Sequence, residues 1–173
     1  MFRPDKRTLF GTSEDFDSLP APHKEQIRFL DHHAFVYLRT LFRVAQMGGT
    51  GSFKDFSKDD YKEIEEFNDK DNGEKQLKQW LYERGIPFSK NVFILADQAI
   101  YTTWKIIVEY AFEAFWNKDV YVFDQSLTWC LFHFHHDKYF FGNKRISEKA
   151  ENNKKQTLYL DLKNQYPDIS FPY

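Results

Sequence analysis

The chain has 173 residues, of which 42% are hydrophobic, 29% charged and 19% aromatic, and its formal net charge is −2. That length fits one domain of about 100–200 residues, and the aromatic share excludes disorder over most of it, since disordered chains lack the side chains that bury large area. A charge so near neutrality leaves no general nucleic-acid footprint, and a lone cysteine, Cys130, excludes an intrachain disulfide.

The opening "MFRPDKRTLFGTSEDF" places charges and a proline where a signal peptide needs an apolar segment. The longest apolar runs, such as "VFILA", fall far short of the roughly 18 residues of a membrane span. The expectation is a cytoplasmic protein that engages neither membrane nor nucleic acid.

Residues 1–20 show no sustained period and contain Pro4, Gly11 and Pro20, which reads as an arm or loop laid over the body. Ile27, Leu30, Ala34, Leu38, Leu41 and Ala45 then step by three or four, so one helix is predicted from about Pro22 to Met47. Pro22 suits its first turn, where a missing N–H costs nothing, and Asp31, His32 and His33 fall inside it. Gly48 and Gly49 stop it, and 48–56 reads as a flexible link. Within that link, "GGTGSF" has neither the preceding strand nor the adjacent lysine of a phosphate loop.

Ser57 with Asp60 three residues on makes a variant of the capping box, and Tyr61, Ile64 and Phe67 give the following segment one packed helical face. Leu77, Trp80 and Leu81 do the same for a helix from about Glu74 to Arg84, which Gly85 and Pro87 close.

Beyond this point β-prone runs appear, with strands expected near 91–97, 120–124, 128–136 and 138–142. Between the first two lies a helix near 103–116, capped by Thr102 or Thr103. Trp104, Ile107, Val108, Ala111 and Phe115 form its stripe and Ile106, Tyr110, Phe112 and Trp116 fill much of the rest, so it is expected to be central and buried on most sides. The polar tail from Asn143 suggests a helix capped by Ser147 and ending near Tyr166-Pro167, although "TLYLDL" also alternates as a strand would. The sum is a single α+β domain over 1–173, with N-terminal helices packed against one face of a small, mainly antiparallel sheet.

The stretch "TWCLFHFHHDKYFFG" concentrates the chain's chemistry. On a strand Trp129, Leu131, His133 and His135 share one face, and Cys130, Phe132, Phe134 and His136 the other. Both faces are aromatic, so a packed hairpin interior to the sheet is expected, with its histidines satisfied by neighbouring carbonyls or carboxylates. The alternative is a small metal-dependent enzyme in which His133 and His135 supply two ligands, with His32, His33 or Asp124 as candidates for the third. No His-Glu-x-x-His helix or paired cysteine supports it. Cys130 shares its face with Phe132 and Phe134, which argues for a buried thiol and not a nucleophile. No catalytic residue, metal or cofactor is assigned.

Charge is segregated along the chain. From Asp55 to Asp71 eight acids stand against three lysines, and from Lys138 to Lys163 seven bases stand against three acids. On the helix expected there, Asp59, Lys62, Glu66 and Asp69 would line the side opposite Ile64, with Glu63 and Glu65 flanking them. Single-sign patches speed association with partners of opposite sign. The candidate partner-binding residues are therefore Asp59, Asp60, Glu63, Glu66 and Asp69.

The run from "WKIIVEYAFEAFW" through "VYVFDQSLTWCLFHFHHDKYFFG" resembles a pattern in small bacterial α+β proteins, some of which are immunity proteins of polymorphic or contact-dependent toxins. Trp104 opening a helix, Phe115-Trp116 near its end, "FDQSLTW" and a closing "FFG" carry the resemblance. These positions define a fold and bring over no site residue. The resemblance implies a cytoplasmic binding protein that neutralises a toxin by covering it, and the acidic segment suits a basic toxin domain such as a nuclease.

Overall fold

The structure is a computed structural model and describes residues 13–44, 60–68, 70–115, 117–136, 138–146 and 154–173. Six helices and seven strands are found among them, in the order α1 (Ser13–Ser18), α2 (Ala21–Lys24), β1 (Arg28–Phe29), α3 (His32–Val44), β2 (Tyr61–Asn68), α4 (Glu74–Tyr82), β3 (Asn91–Leu95), β4 (Ala99–Thr103), α5 (Trp104–Ala114), β5 (Val120–Phe123), β6 (Cys130–Phe134), β7 (Lys138–Arg145) and α6 (Lys154–Gln165). The strands form one sheet in the order β1-β4-β3-β5-β6-β7-β2, and every pairing is antiparallel. The α+β class expected from the sequence is the class observed.

Both faces of the sheet are covered by helices, where the sequence suggested one. Strand alternation explains how. On β3, Val92 and Ile94 join a core with Leu77 and Leu81 of α4 and with Ile106, Ile107 and Ala111 of α5. Phe93 and Leu95 point the other way, to Ala34, Leu38 and Leu41 of α3 and Leu162 of α6. Ile169 and Phe171, beyond α6, complete that second layer, and the Tyr37 hydroxyl donates to the Pro172 carbonyl at 2.7 Å.

The expected central helix is α5, two residues shorter at its C-terminal end than its apolar run. Thr103 stands at its N-cap position but makes no side-chain cap, its hydroxyl going instead to Gln26 Oε1 at 2.7 Å. The orphan donors of the first turn are met by the loop before β3: Trp104 N–H donates to the Lys90 carbonyl at 2.8 Å and Lys105 N–H to that of Phe88 at 3.0 Å.

Four expectations are corrected. The helix from Pro22 to Met47 is broken into α2, β1 and α3, because Asp31 restarts the chain: its Oδ1 accepts the Ala34 N–H at 2.9 Å, an N-cap bond. Ile27 and Leu30 are buried as expected, but outside that helix. Replacing Asp31 with alanine is expected to lower unfolding free energy by about 1 kcal/mol, measurable as a shift in urea midpoint at constant slope.

Second, residues 61–68 are not a helix but the strand β2, paired with β7 from Tyr61↔Arg145 to Asn68↔Lys138. The step of three that looked helical is real in burial terms: Tyr61 is buried, Ile64 half-buried and Phe67 buried. It arises on a strand because Tyr61 belongs to one core layer and Phe67 to the other, and the regular pairing between them is interrupted where Lys144 adopts φ 56°.

Third, "ADQAIYTT", expected as a strand end and a helix cap, holds a turn and a further strand, β4. The Ala96 N–H closes the hairpin on the Gln98 carbonyl at 3.0 Å. Fourth, the stretch 1–20 read as arm or loop contains α1, whose Phe16 is buried against Phe29 with ring centres 5.4 Å apart. The supposed link 48–56, the glycine cluster and the Ser57 and Ser147 caps lie outside the described residues.

Candidate functional site

The acidic segment sits at one edge of the sheet. β2 is its outermost strand, and Glu63, Glu65 and Glu66 are exposed on it, while Asp60 lies in the turn just before, where its carbonyl accepts the Ile146 N–H at 2.8 Å. Asp59 and Asp69 are outside the described residues.

The neighbouring strand β7 belongs to the basic segment. Lys138 pairs with Glu66 at 3.0 Å and Lys144 with Glu63. Glu65 pairs with Arg84, whose guanidinium lies over the rings of Trp80 and Phe141 at 4.5 and 5.6 Å. The two opposed charge runs of the sequence therefore meet side by side in the sheet. Such pairs are loose where both partners are wet: exposed ion pairs contribute about 0–1 kcal/mol each.

The histidine stretch is a packed hairpin between β5 and β2, as its alternation required. Trp129, Leu131 and His133 face the layer of α4 and α5; Cys130, Phe132 and Phe134 face that of α3 and α6. His133 is buried, its Nδ1–H donating to the Lys118 carbonyl at 2.7 Å, with its ring 4.4 Å from that of Tyr139. His135 is half-buried, and its Nδ1–H and backbone N–H both donate to Asp119 Oδ1, at 2.8 and 3.0 Å. One histidine is thus held by a carbonyl and the other by a carboxylate. Burial pushes the Cys130 thiol up, away from the reactive thiolate.

The three candidates for a further metal ligand lie elsewhere. His32 and His33 are exposed at the start of α3, across the sheet from His133. Asp124 is buried at the end of β5, where its Oδ2 accepts from Lys90 Nζ at 3.1 Å and its Oδ1 from the Ser126 backbone N–H at 2.8 Å and the Ser126 hydroxyl at 2.5 Å. No three His, Cys, Asp or Glu side chains gather to hold a metal ion among the described residues, and no described helix is long and apolar enough to cross a membrane.

One feature had no signal in the sequence. A cleft of about 380 Å³ opens where the loop before β3, the turn after β5 and the segment after α6 converge, bringing together Lys90, Asn91, Gln125 and Asp168 over Phe93 and Tyr101. Asp168 is ion-paired to Arg28 at 2.5 Å, across 140 positions of chain. Only "DQS", with its side-chain-closed turn at Asp124, could have been read locally. No family model, no curated protein and no solved structure matches the chain.

Proposed function

We propose that this chain is a stoichiometric protein-binding module, an immunity protein that neutralises a basic toxin domain in the cytoplasm by covering it. The observation that carries this reading is the exposed acidic outer strand. Glu63 and Glu66 of β2 are each about half exposed and held by lysines that are themselves exposed. A basic partner could take over these carboxylates at little cost, since the internal pairs it replaces are weak. His133, His135, Cys130 and Asp124, which an enzyme could have used, are committed to bonds within the fold or withdrawn from water. That supports covering a partner over transforming a substrate.

The test is co-expression with the toxic domain encoded beside this gene, reading growth rescue and association rate. Glu63→Lys with Glu66→Lys is expected to slow association by roughly tenfold at low salt and much less at high salt. Absence of a toxin-type neighbour, or a neighbour whose toxicity is untouched by co-expression, would overturn the proposal. An unchanged rate with intact rescue would remove β2 from the interface.

A further inference from the structure

β2 is an eight-residue strand at one end of the sheet, and among the described residues β7 alone pairs with it. Hydrogen bonds alternate along an antiparallel pair, so every second residue turns its N–H and C=O away from the neighbouring strand. The bond from the Ile146 N–H to the Asp60 carbonyl at 2.8 Å lies one step beyond the Tyr61↔Arg145 pair and fixes the phase. Ile64 and Glu66 therefore bond to β7, whereas Glu63, Glu65 and Phe67 turn their main-chain groups to the open side. Among the described residues nothing bonds to those outward groups.

Such an edge is a template for one more strand, and its side chains decide which strand it takes. Alternation places Glu63 and Glu65 on one face, with side chains 51 and 59% exposed, and Ile64 on the other, against the layer of α3 and α6. A second copy of β2 is a poor occupant. Each antiparallel register centred on one of residues 63 to 66 sets a glutamate opposite a glutamate, and like charges directly opposite are destabilising. A strand with basic residues two apart and an apolar residue between them meets both faces at once, because residues opposite each other share a face.

We infer that the open edge of β2 takes up an extended basic segment of the protein partner as an added strand. Its main chain pairs with Glu63, Glu65 and Phe67, its cationic side chains lie on Glu63 and Glu65, and the apolar residue between them lies opposite Ile64. The inference rests on the reading of the chain as a binding module for a basic protein, and it adds how that protein is gripped. Charge selects the segment, and main-chain hydrogen bonds hold it.

The probe is the peptide acetyl-Thr-Lys-Val-Lys-Val-Thr-amide, titrated into the full chain at low salt and followed by amide NMR and hydrogen exchange. Saturable shifts are expected along residues 62–68, and binding should slow exchange at the amides of Glu63, Glu65 and Phe67 more than at those of Ile64 and Glu66. Glu65→Pro removes an outward N–H without touching a bond to β7. It is expected to weaken the peptide by roughly tenfold, against about threefold for Glu65→Thr, which removes the charge alone. Independently of any variant's folding, the same peptide N-methylated at both lysine nitrogens keeps every charge and is expected to lose saturable binding. Equal affinity for the N-methylated peptide would overturn the inference by reducing the edge to a charge attraction. No saturable shift along 62–68 would also overturn it, leaving the glutamates as a guard against self-pairing. Binding of the expected kind without rescue from the neighbouring toxin would keep the edge and sink only the toxin reading. Rescue with an unchanged association rate in Glu65→Pro would do the reverse.

Discussion

Trp104→Ala is expected to cost about 3–5 kcal/mol of stability, a large part of the roughly 5–15 kcal/mol of an ordinary domain. Trp104 opens α5 and is wholly buried, with its ring set edge-on to Trp129 at 5.6 Å. Trp129 in turn stacks on Phe141 of β7, so the ring ties the central helix to the hairpin. Its indole Nε1 is buried without a hydrogen-bond partner among the described residues, so the ring acts by filling space. Trp104→Phe should therefore lose much less than Trp104→Ala, although it removes the same donor. Equilibrium urea unfolding of the three proteins checks this. Equal losses in the two variants would mean that the N–H has a partner that matters.

Asp124→Ala is expected to cost about 2–3 kcal/mol at neutral pH, because it strands the Ser126 N–H and one end of Lys90 in a site that buries the carboxylate. Burial alone would push the Asp124 carboxyl up, but the bonds from Ser126 and Lys90 outweigh it and hold it below its ordinary value. A carboxyl depressed in the folded state stabilises the fold above the unfolded value near about 3.9 and loses that contribution as pH falls through the folded value. The advantage of the natural protein over Asp124→Asn should thus be full at pH 7 and shrink below about pH 4. Urea midpoints across that range measure it, and a gap that stays constant in acid would show that Asp124 acts through shape alone.

Where a segment's structure follows from its own periodicity, the sequence was readable. α5 announces itself by a stripe apolar nearly all round, and β6 by a strict alternation that places His133 and Cys130 on opposite faces. Where pairing with distant chain decides, it was not. Residues 61–68 are rich in Glu and Lys, which favour helices, and carry a step of three; hydrogen bonding to β7 overrides both. β4 was hidden because its threonines also suit a helix cap. The acidic ridge was legible as charge but not as neighbourhood, since Glu65 with Arg84, Glu63 with Lys144 and Glu66 with Lys138 are contacts between segments far apart in sequence. The cleft escaped for the same reason, being assembled from three loops that share no motif.

The order of the sheet has a mechanical corollary. Its five inner strands, β4, β3, β5, β6 and β7, all come from residues 91–145, whereas the two outer ones come from before residue 70. The inner sheet is thus wound from one stretch of chain, with a single crossover through α5 from β4 to β5, and is hemmed on both borders by earlier chain, each hem sewn along one side only. β1 meets β4 at only two positions and can part without opening any other pair of strands, whereas β2 is held to β7 from Tyr61 to Asn68, so the short border frays before the acid-bearing one.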